Sequence, residues 1–267
     1  MLVCALGDLL LDVIVRLEQP LARSADAESV VHLGPGGQAA NVAAWVAELG
    51  GSARLIAKRG DDDAAALAAR GLEERGVELA GPVGGRNGVV VSLVDPDGDR
   101  SMASDRGVAP TLSPAEIDPA WLDGIDVLHV SGYALLRAPI DAAALRAIEL
   151  ARAGAARVSV DLSSWSAIRD FGPATFRERL EAIAPDVVFA NEDEQEILGG
   201  PLPGAAWILK LGARGCNFDG VELPAHPATP VDSTGAGDAL AAGYLVGGPA
   251  LALDAAARCV SQLGSMP

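Results

Sequence analysis

A chain of 267 residues with a formal net charge of −16 lacks the basic surface that nucleic acid requires, which speaks against that class of partner. Half of the residues are hydrophobic and 4% aromatic, enough for one large domain spanning residues 1–267 with an aliphatic core, and no apolar run is long enough to span a bilayer. Cys4, Cys216 and Cys259 are too few and too scattered for a disulfide framework or a zinc site, which fits a reducing cytoplasm.

Met1–Gly7 reads as a buried strand; Asp8 and Asp12 and the lack of a basic start argue against a signal peptide. An Asp in apolar surroundings is costly without a partner, so Asp12 is either a turn or edge residue or a ligand-binding one. DVIVRLE and ESVVHL, within residues 13–33, alternate as a strand pair broken by a polar loop at Ala22–Ala27. NGVVVSLVDP and DRSMASD, within residues 86–105, form a second such pair with a turn at Asp97-Gly98. Arg100 and Arg106 in this segment would read a carboxylate or phosphate, or else stand solvated. Between the pairs, Gly36-Gly37-Gln38-Ala39-Ala40-Asn41 opens a helix to about Glu48. Its glycines permit close backbone approach, and Asn41 offers a donor and acceptors suited to a diol. Taken alone, a glycine turn before an Ala-rich helix with an exposed Asn41 is the better reading.

ARLIAK reads as a strand, with Lys58 at its C-terminal end; Asp61 and Asp62 cap the helix that follows. The middle of the chain alternates strand and helix, the pattern of a parallel sheet with right-handed crossovers. His129 sits in an apolar strand as a core histidine. Asn191 and Glu194 have the spacing of a capping box. Lys210-Leu211-Gly212-Ala213-Arg214-Gly215 carries a strand into a tight turn, or a plain hairpin.

The most informative stretch is Pro230–Leu245, PVDSTGAGDALAAGYL. Gly235, Ala236 and Gly237 gather backbone N–H groups at a helix start, an anion-binding arrangement, yet the carboxylate of Asp238 lies inside it. That pairing points to phosphoryl transfer: the N–H groups hold charge on the transferring group and Asp238 accepts a proton from an attacking hydroxyl. The plainer alternative makes Asp238 a helix cap and the glycines an ordinary turn.

DSTGAGDALAAGYL resembles the C-terminal signature of the PfkB/ribokinase family of sugar and nucleoside kinases, and GPGGQAANVAAWVAELG, Gly34 to Gly50, resembles its N-terminal one. Two signatures in the family's order are far more specific than either alone, and similarity to its layout covers nearly the whole chain. The resemblance implies a ribokinase-like α/β fold: a central, mainly parallel sheet flanked by helices, with a small β-sheet lid from residues 13–33 and 86–105. It implies ATP-dependent phosphorylation of a hydroxyl of a sugar, sugar acid or nucleoside. Asp238 would be the base and Gly235, Ala236 and Gly237 the anion hole. Asp12, Gly36, Gly37 and Asn41 would hold substrate, and Lys210, Gly212 and Gly215 would bind ATP. Asn191 and Glu194 would handle Mg²⁺, largely through water, and Asp232 and Thr234 match part of a monovalent-cation site, which brings in K⁺. The free edges and apolar face of the lid suggest a homodimer formed through it.

The sequence also departs from the family. Ser163, Ser164 and Trp165 follow Asp161 where Asn and Arg are frequent in relatives, which leaves the contact made there by that Arg in doubt. Only 29 residues follow Asp238, fewer than is usual, and among them Ser261 and Gln262 are merely polar, so adenine contacts are not identified. Three other functions compete. A vitamin-type kinase of the same fold, acting on a pyridoxal- or hydroxymethylpyrimidine-like alcohol, fits the lid segments less well. A non-catalytic sugar-binding regulator would have no need of Asp238. A nicotinamide oxidoreductase needs a G-x-G-x-x-G turn after the first strand, which Gly7-Asp8-Leu9-Leu10 does not supply.

Overall fold

Residues 1–21, 23–24, 26–95 and 100–267 are described by a computed structural model. The turn expected at Asp97-Gly98 lies outside these residues, as do Ala22 and Ala25 of the expected polar loop. The strands are β1 (Leu2–Leu6), β2 (Leu10–Leu17), β3 (Ser29–Gly36), β4 (Ser52–Ile56), β5 (Val77–Ala80), β6 (Gly88–Val94), β7 (Arg100–Asp105), β8 (Val127–Ser131), β9 (Arg157–Asp161), β10 (Val187–Asn191), β11 (Ala206–Lys210), β12 (Cys216–Phe218) and β13 (Val221–Leu223). The helices are α1 (Gln38–Glu48), α2 (Asp63–Glu73), α3 (Gly132–Leu135), α4 (Ile140–Ala153), α5 (Trp165–Phe171), α6 (Pro173–Ile183), α7 (Glu192–Leu198), α8 (Ala236–Gly247) and α9 (Pro249–Val260).

Nine strands form one sheet in the order β13-β12-β11-β10-β9-β8-β1-β4-β5, parallel from β11 to β5 and closed at one edge by the antiparallel β12 and β13. Its middle strands are apolar without alternation because helices cover both faces. One face packs on α1, α8 and α9, burying Trp45, Phe189 and Leu240; the other packs on α4 and α6, burying Leu128, Ile140 and Phe176. Among the described residues no helix is long and apolar enough to cross a membrane.

Strands β3-β2-β6-β7 form a separate four-stranded sheet, with β2 and β6 parallel and the outer pairs antiparallel. Both expected strand pairs are present, but the sheet starts earlier than residue 13: Leu10, Leu11 and Asp12 already pair with Gly36, Pro35 and Gly34. Asp12 is thereby on a strand that leads from the large sheet into the small one. The structure also contains β5, the β12–β13 hairpin and α5, which the sequence pattern did not announce. VELA, CNF and VEL are too short to show a period, and α5 is only two turns. Asp62 caps α2, accepting from the Ala65 N–H at 2.9 Å. Lys58 is engaged by Glu116 at 2.7 Å.

Gly37 connects the two sheets to α1. Its φ of 100° lies in a region that L side chains avoid, and a Cβ there would sit 2.4 Å from the Asp8 carbonyl oxygen. The start of α1 is thus pressed against the β1–β2 connection. Gly37→Ala should lower the unfolding free energy by about 2–4 kcal/mol, backbone strain and overpacking together, as read from urea denaturation.

Candidate active site

The turn before α8 is built by Asp232. Its Oδ1 accepts the Thr234 N–H at 2.8 Å and the Thr234 hydroxyl, and its Oδ2 accepts the Gly264 N–H at 3.0 Å. Gly235 then turns left-handed with φ 77° and caps α8. Asp238 is the third residue of the helix, in its first turn. One of its oxygens accepts from Asn41 Nδ2 at 2.6 Å, a bond between two residues 197 apart that joins both glycine-rich segments. Burial pushes the Asp238 carboxyl up to about 7; Asp161 and Asp12 add to the rise, while the Asn41 bond and Lys210 oppose it.

Asp161 and Lys210 lie at the C-terminal ends of β9 and β11, the ligand-binding edge of open α/β sheets. The Asp161 side chain is 0% exposed; its Oδ2 accepts from Lys210 Nζ at 2.8 Å and its Oδ1 from the Ser163 N–H at 3.0 Å. Burial alone would depress the Lys210 ammonium, but the carboxylates of Asp161 and Glu194 outweigh it and hold the group above its ordinary value. A Cβ on Gly237 would lie 3.4 Å from Nζ, so the ammonium stands beside the start of α8. Asn191 and Glu194 form the capping box of α7: each side chain accepts the other's backbone N–H at 2.8 Å. Burial raises the Glu194 carboxyl, partly offset by Lys210. Among the described residues no group of three or more His, Cys, Asp or Glu side chains is placed to hold a metal ion.

On the opposite side, Asp12 lies against Gly36, where a Cβ would sit 2.1 Å from the carboxylate. The Asp12 carboxylate is near enough for its charge to raise the proton affinity of Asp238. Arg106 is not solvated: its guanidinium grips Asp8 with two bonds, 2.5 and 2.9 Å, and lies over the Tyr133 ring. The side chain of Arg100 lies outside the described residues. Gln38 accepts from the hydroxyls of Ser131 and Ser163, so the departure at Ser163 places a hydroxyl, not a cation, at the end of β9. His129 is fully buried; Nδ1 meets the Ser159 hydroxyl at 2.8 Å, while Nε2 finds no partner among the described residues. Desolvation brings its pKa down to about 4, so the ring is neutral.

A cleft of about 610 Å³ runs from the turn to the last helices. Lys210, Gly212 and Gly215 border it on one side, Ser233, Ala236 and Gly237 at its end, and Leu240, Leu253, Ala257 and Val260 along its apolar floor. Ser261 and Gln262 turn to local carbonyls, those of Ala257 and Met266. No motif marks the apolar floor, because small apolar residues on α9 look the same whether they face a core or a cleft.

A sequence profile described as pfkB family carbohydrate kinase matches residues 1–266. The chain belongs to the pfkB family of carbohydrate kinases. It is 35% identical over 230 residues to an ATP-dependent ribose-1-phosphate kinase of Halopiger xanaduensis, covering 79% of this chain and 72% of that protein. It is 29% identical over 270 residues to fructokinase-1 of Oryza sativa subsp. japonica, covering 91% and 82%. Among solved structures, adenosine kinase from Sinorhizobium meliloti superposes with a TM-score of 0.84 at 23% identity, covering 99% of this chain and 95% of that one. An uncharacterized sugar kinase from Pyrococcus horikoshii in complex with ATP does so with a TM-score of 0.84 at 24% identity, covering 99% and 95%. The fold is therefore ribokinase-like.

In this pfkB-family chain the Asp161–Lys210 pair is a largely buried charged contact beside the start of α8. Removing one partner leaves the other charge uncompensated. Lys210→Met should cost about 3–5 kcal/mol of stability, and adding Asp161→Asn should recover part of that loss, in paired chemical denaturation curves.

Proposed function

We propose that the protein transfers the γ-phosphoryl group of ATP to a hydroxyl of a sugar, sugar acid or nucleoside, with Asp238 as general base. The observation that carries this reading is the place of Asp238. It sits in the first turn of α8, directly after Ala236 and Gly237 at the edge of the apolar cleft, bonded to Asn41 and within reach of the Asp12 charge.

A hydroxyl cannot attack until its proton has somewhere to go. Asp238 offers a carboxylate whose proton affinity, near pH 7, suits both accepting that proton and returning it to water. Asp12 and Asn41 would hold neighbouring hydroxyls and aim one of them at Asp238. The N–H groups at Gly235–Gly237 and the helix dipole would meet the negative charge that builds on the transferring group. Lys210, beside Gly237, adds a fixed cation there; Asp161 keeps it charged and in place.

ATP supplies the phosphoryl group, and the cleft fits it: about 610 Å³, apolar along α8 and α9 for a base, polar where it reaches the turn. Gly212 and Gly215 would border the nucleotide. Mg²⁺ would be held mainly by phosphates and water, with Asn191 and Glu194 at the edge of the site. That is in keeping with a Glu194 side chain already engaged as a cap. The Asp232 turn would carry a monovalent cation such as K⁺ through its carbonyl groups and Thr234. On the acceptor side Arg106 is a pinned cation, and it suits a sugar bearing a phosphate or carboxylate; the named relative acting on ribose-1-phosphate supports that class. The strands of residues 13–33 and 86–105 would then serve as a lid.

Asp238→Asn tests the reading. ADP release with a panel of ribose-1-phosphate, fructose, sugar acids and nucleosides should fall by about 10²–10⁴-fold, with ATP affinity retained. Wild-type kcat/KM should fall about tenfold per unit as the pH drops below about 7, because only the carboxylate is a base. The folded-state pKa of Asp238 lies above its unfolded value, so its destabilising effect grows with pH and is complete above about 7. The melting temperature of the variant, relative to wild type, should therefore rise more at pH 8 than at pH 5. Near-normal turnover would make Asp238 only a cap.

One face of the small sheet carries Val31 and Leu33 of β3, each about half exposed, and we propose that two copies meet there. Light scattering at micromolar concentration should give a dimer mass that drops to the monomer in Val31→Lys/Leu33→Lys; a wild-type monomer with and without substrate would dismiss this.

A further inference from the structure

The last residues of the chain run back into the site. The Gly264 N–H donates to Asp232 at 3.0 Å, and Trp45 Nε1 donates to the Ser265 carbonyl at 2.8 Å. Ser265 fills the space left by the missing side chain of Gly235, where a Cβ would come within 2.5 Å of its own. Ser265 is 3% exposed and Asn41 6%. The Ser265 hydroxyl donates to Asn41 Oδ1 at 3.0 Å, and the other end of the same amide, Nδ2, donates to Asp238 at 2.6 Å.

An amide has one end that only accepts and one that only donates. With the Ser265 hydroxyl on Oδ1, the Nδ2 end is committed to Asp238. Without that hydroxyl, Oδ1 is a buried acceptor lacking its donor, and the amide is no longer held in the orientation that presents Nδ2 to Asp238. Asp238 then loses the N–H bond that favours its ionised form. We propose that Ser265 is a positioning residue: through the Asn41 amide it sets the proton affinity of Asp238. The consequence for catalysis rests on reading Asp238 as the base; the effect on proton affinity does not.

Other titratable groups whose charges couple to that of Asp238 are Asp12 from β2, Asp161 from β9, Lys210 from β11, Tyr133 from α3 and Cys259 from α9. Among the described residues the Ser265 hydroxyl donates to Asn41, and Ser265→Ala removes that bond while keeping the Cβ. The Trp45 bond to the Ser265 carbonyl and the Gly264 bond to Asp232 use backbone atoms and persist in that variant.

The test is carbon-13 NMR titration of side-chain carboxyls in the full chain without ligand, the Asp238 signal being the one lost in Asp238→Asn. Ser265→Ala should raise the Asp238 midpoint by about one pH unit, a tenfold change in proton affinity, the worth of one such hydrogen bond. Asn41→Ala should raise it as well, and the double variant should lie no higher than Asn41→Ala alone, because Ser265 acts through Asn41. A Ser265→Ala midpoint equal to wild type overturns the inference, and so does a double variant above Asn41→Ala. Turnover separates this from the proposed function. If Asp238→Asn stays active while the Ser265→Ala shift appears, the kinase reading fails and the inference stands. If Asp238→Asn is inactive and the shift is absent, only the inference fails.

Discussion

The hydrogen bond from Asn41 to Asp238 is the contact on which the arrangement of this site depends. It joins the first turn of α8 to the first helix of the chain, across 197 residues of sequence. For its 2.6 Å to be reached, α1 must begin hard against the β1–β2 connection, which is why Gly37 has no side chain. Helix α8 must start at Gly235, and Gly235 is excluded from carrying a Cβ by the returning tail at Ser265. Close backbone approach at two glycines is thus converted into a side-chain distance at a third place. The glycines of both signatures act here through packing as much as through conformational freedom.

Electrostatics shape the site in the same local way. The chain carries a net charge of −16, so long-range attraction of an anionic nucleotide is absent and each negative group must be met nearby. Lys210 is one of only two lysines, and it stands beside the α8 terminus. A lone buried ammonium would tend to lose its proton; the fully buried Asp161 prevents this by ion pairing. Asp161 also raises the proton affinity of Asp238, so a single carboxylate keeps the cation charged and moves a second carboxyl toward neutral pH. Asp8 and Arg106 form a second pair of the same kind, which holds a guanidinium still over Tyr133.

The fold and the segments that meet at the candidate site were legible in the sequence because they are written in local patterns. Strand–helix alternation, the two β pairs of the small sheet, the helix opening at Gly36-Gly37 and the turn at Gly235–Asp238 each occupy a short window. Short elements without a period were not legible, as β5 and the β12–β13 hairpin show. Arg106 read most simply as a solvated arginine, since nothing around position 106 announces Asp8, 98 residues earlier. The apolar floor of the cleft was hidden for a related reason: Leu253, Ala257 and Val260 on α9 follow an ordinary core stripe, and only the path of the neighbouring chain leaves them facing a cavity.

By itself the sequence determined a parallel α/β architecture with a second β sheet, membership of a kinase family, and the residue types Asp238, Asn41, Asp12 and Lys210 that phosphoryl transfer would use. Side-chain burial repeats with the period of its own element, so such features are encoded within a few residues. Only the tertiary structure decided which of these residues meet. Lys210 finds Asp161 across 49 residues, and Ser265 finds Asn41 across 224. These distances follow from strand order and from the path of the chain end over α1, and neither has a signature in any local window. Proton affinities were decided there as well: an Asp near the start of a helix is ordinarily a strong acid, and Asp238 is moved toward neutrality by burial and by carboxylates contributed from other strands.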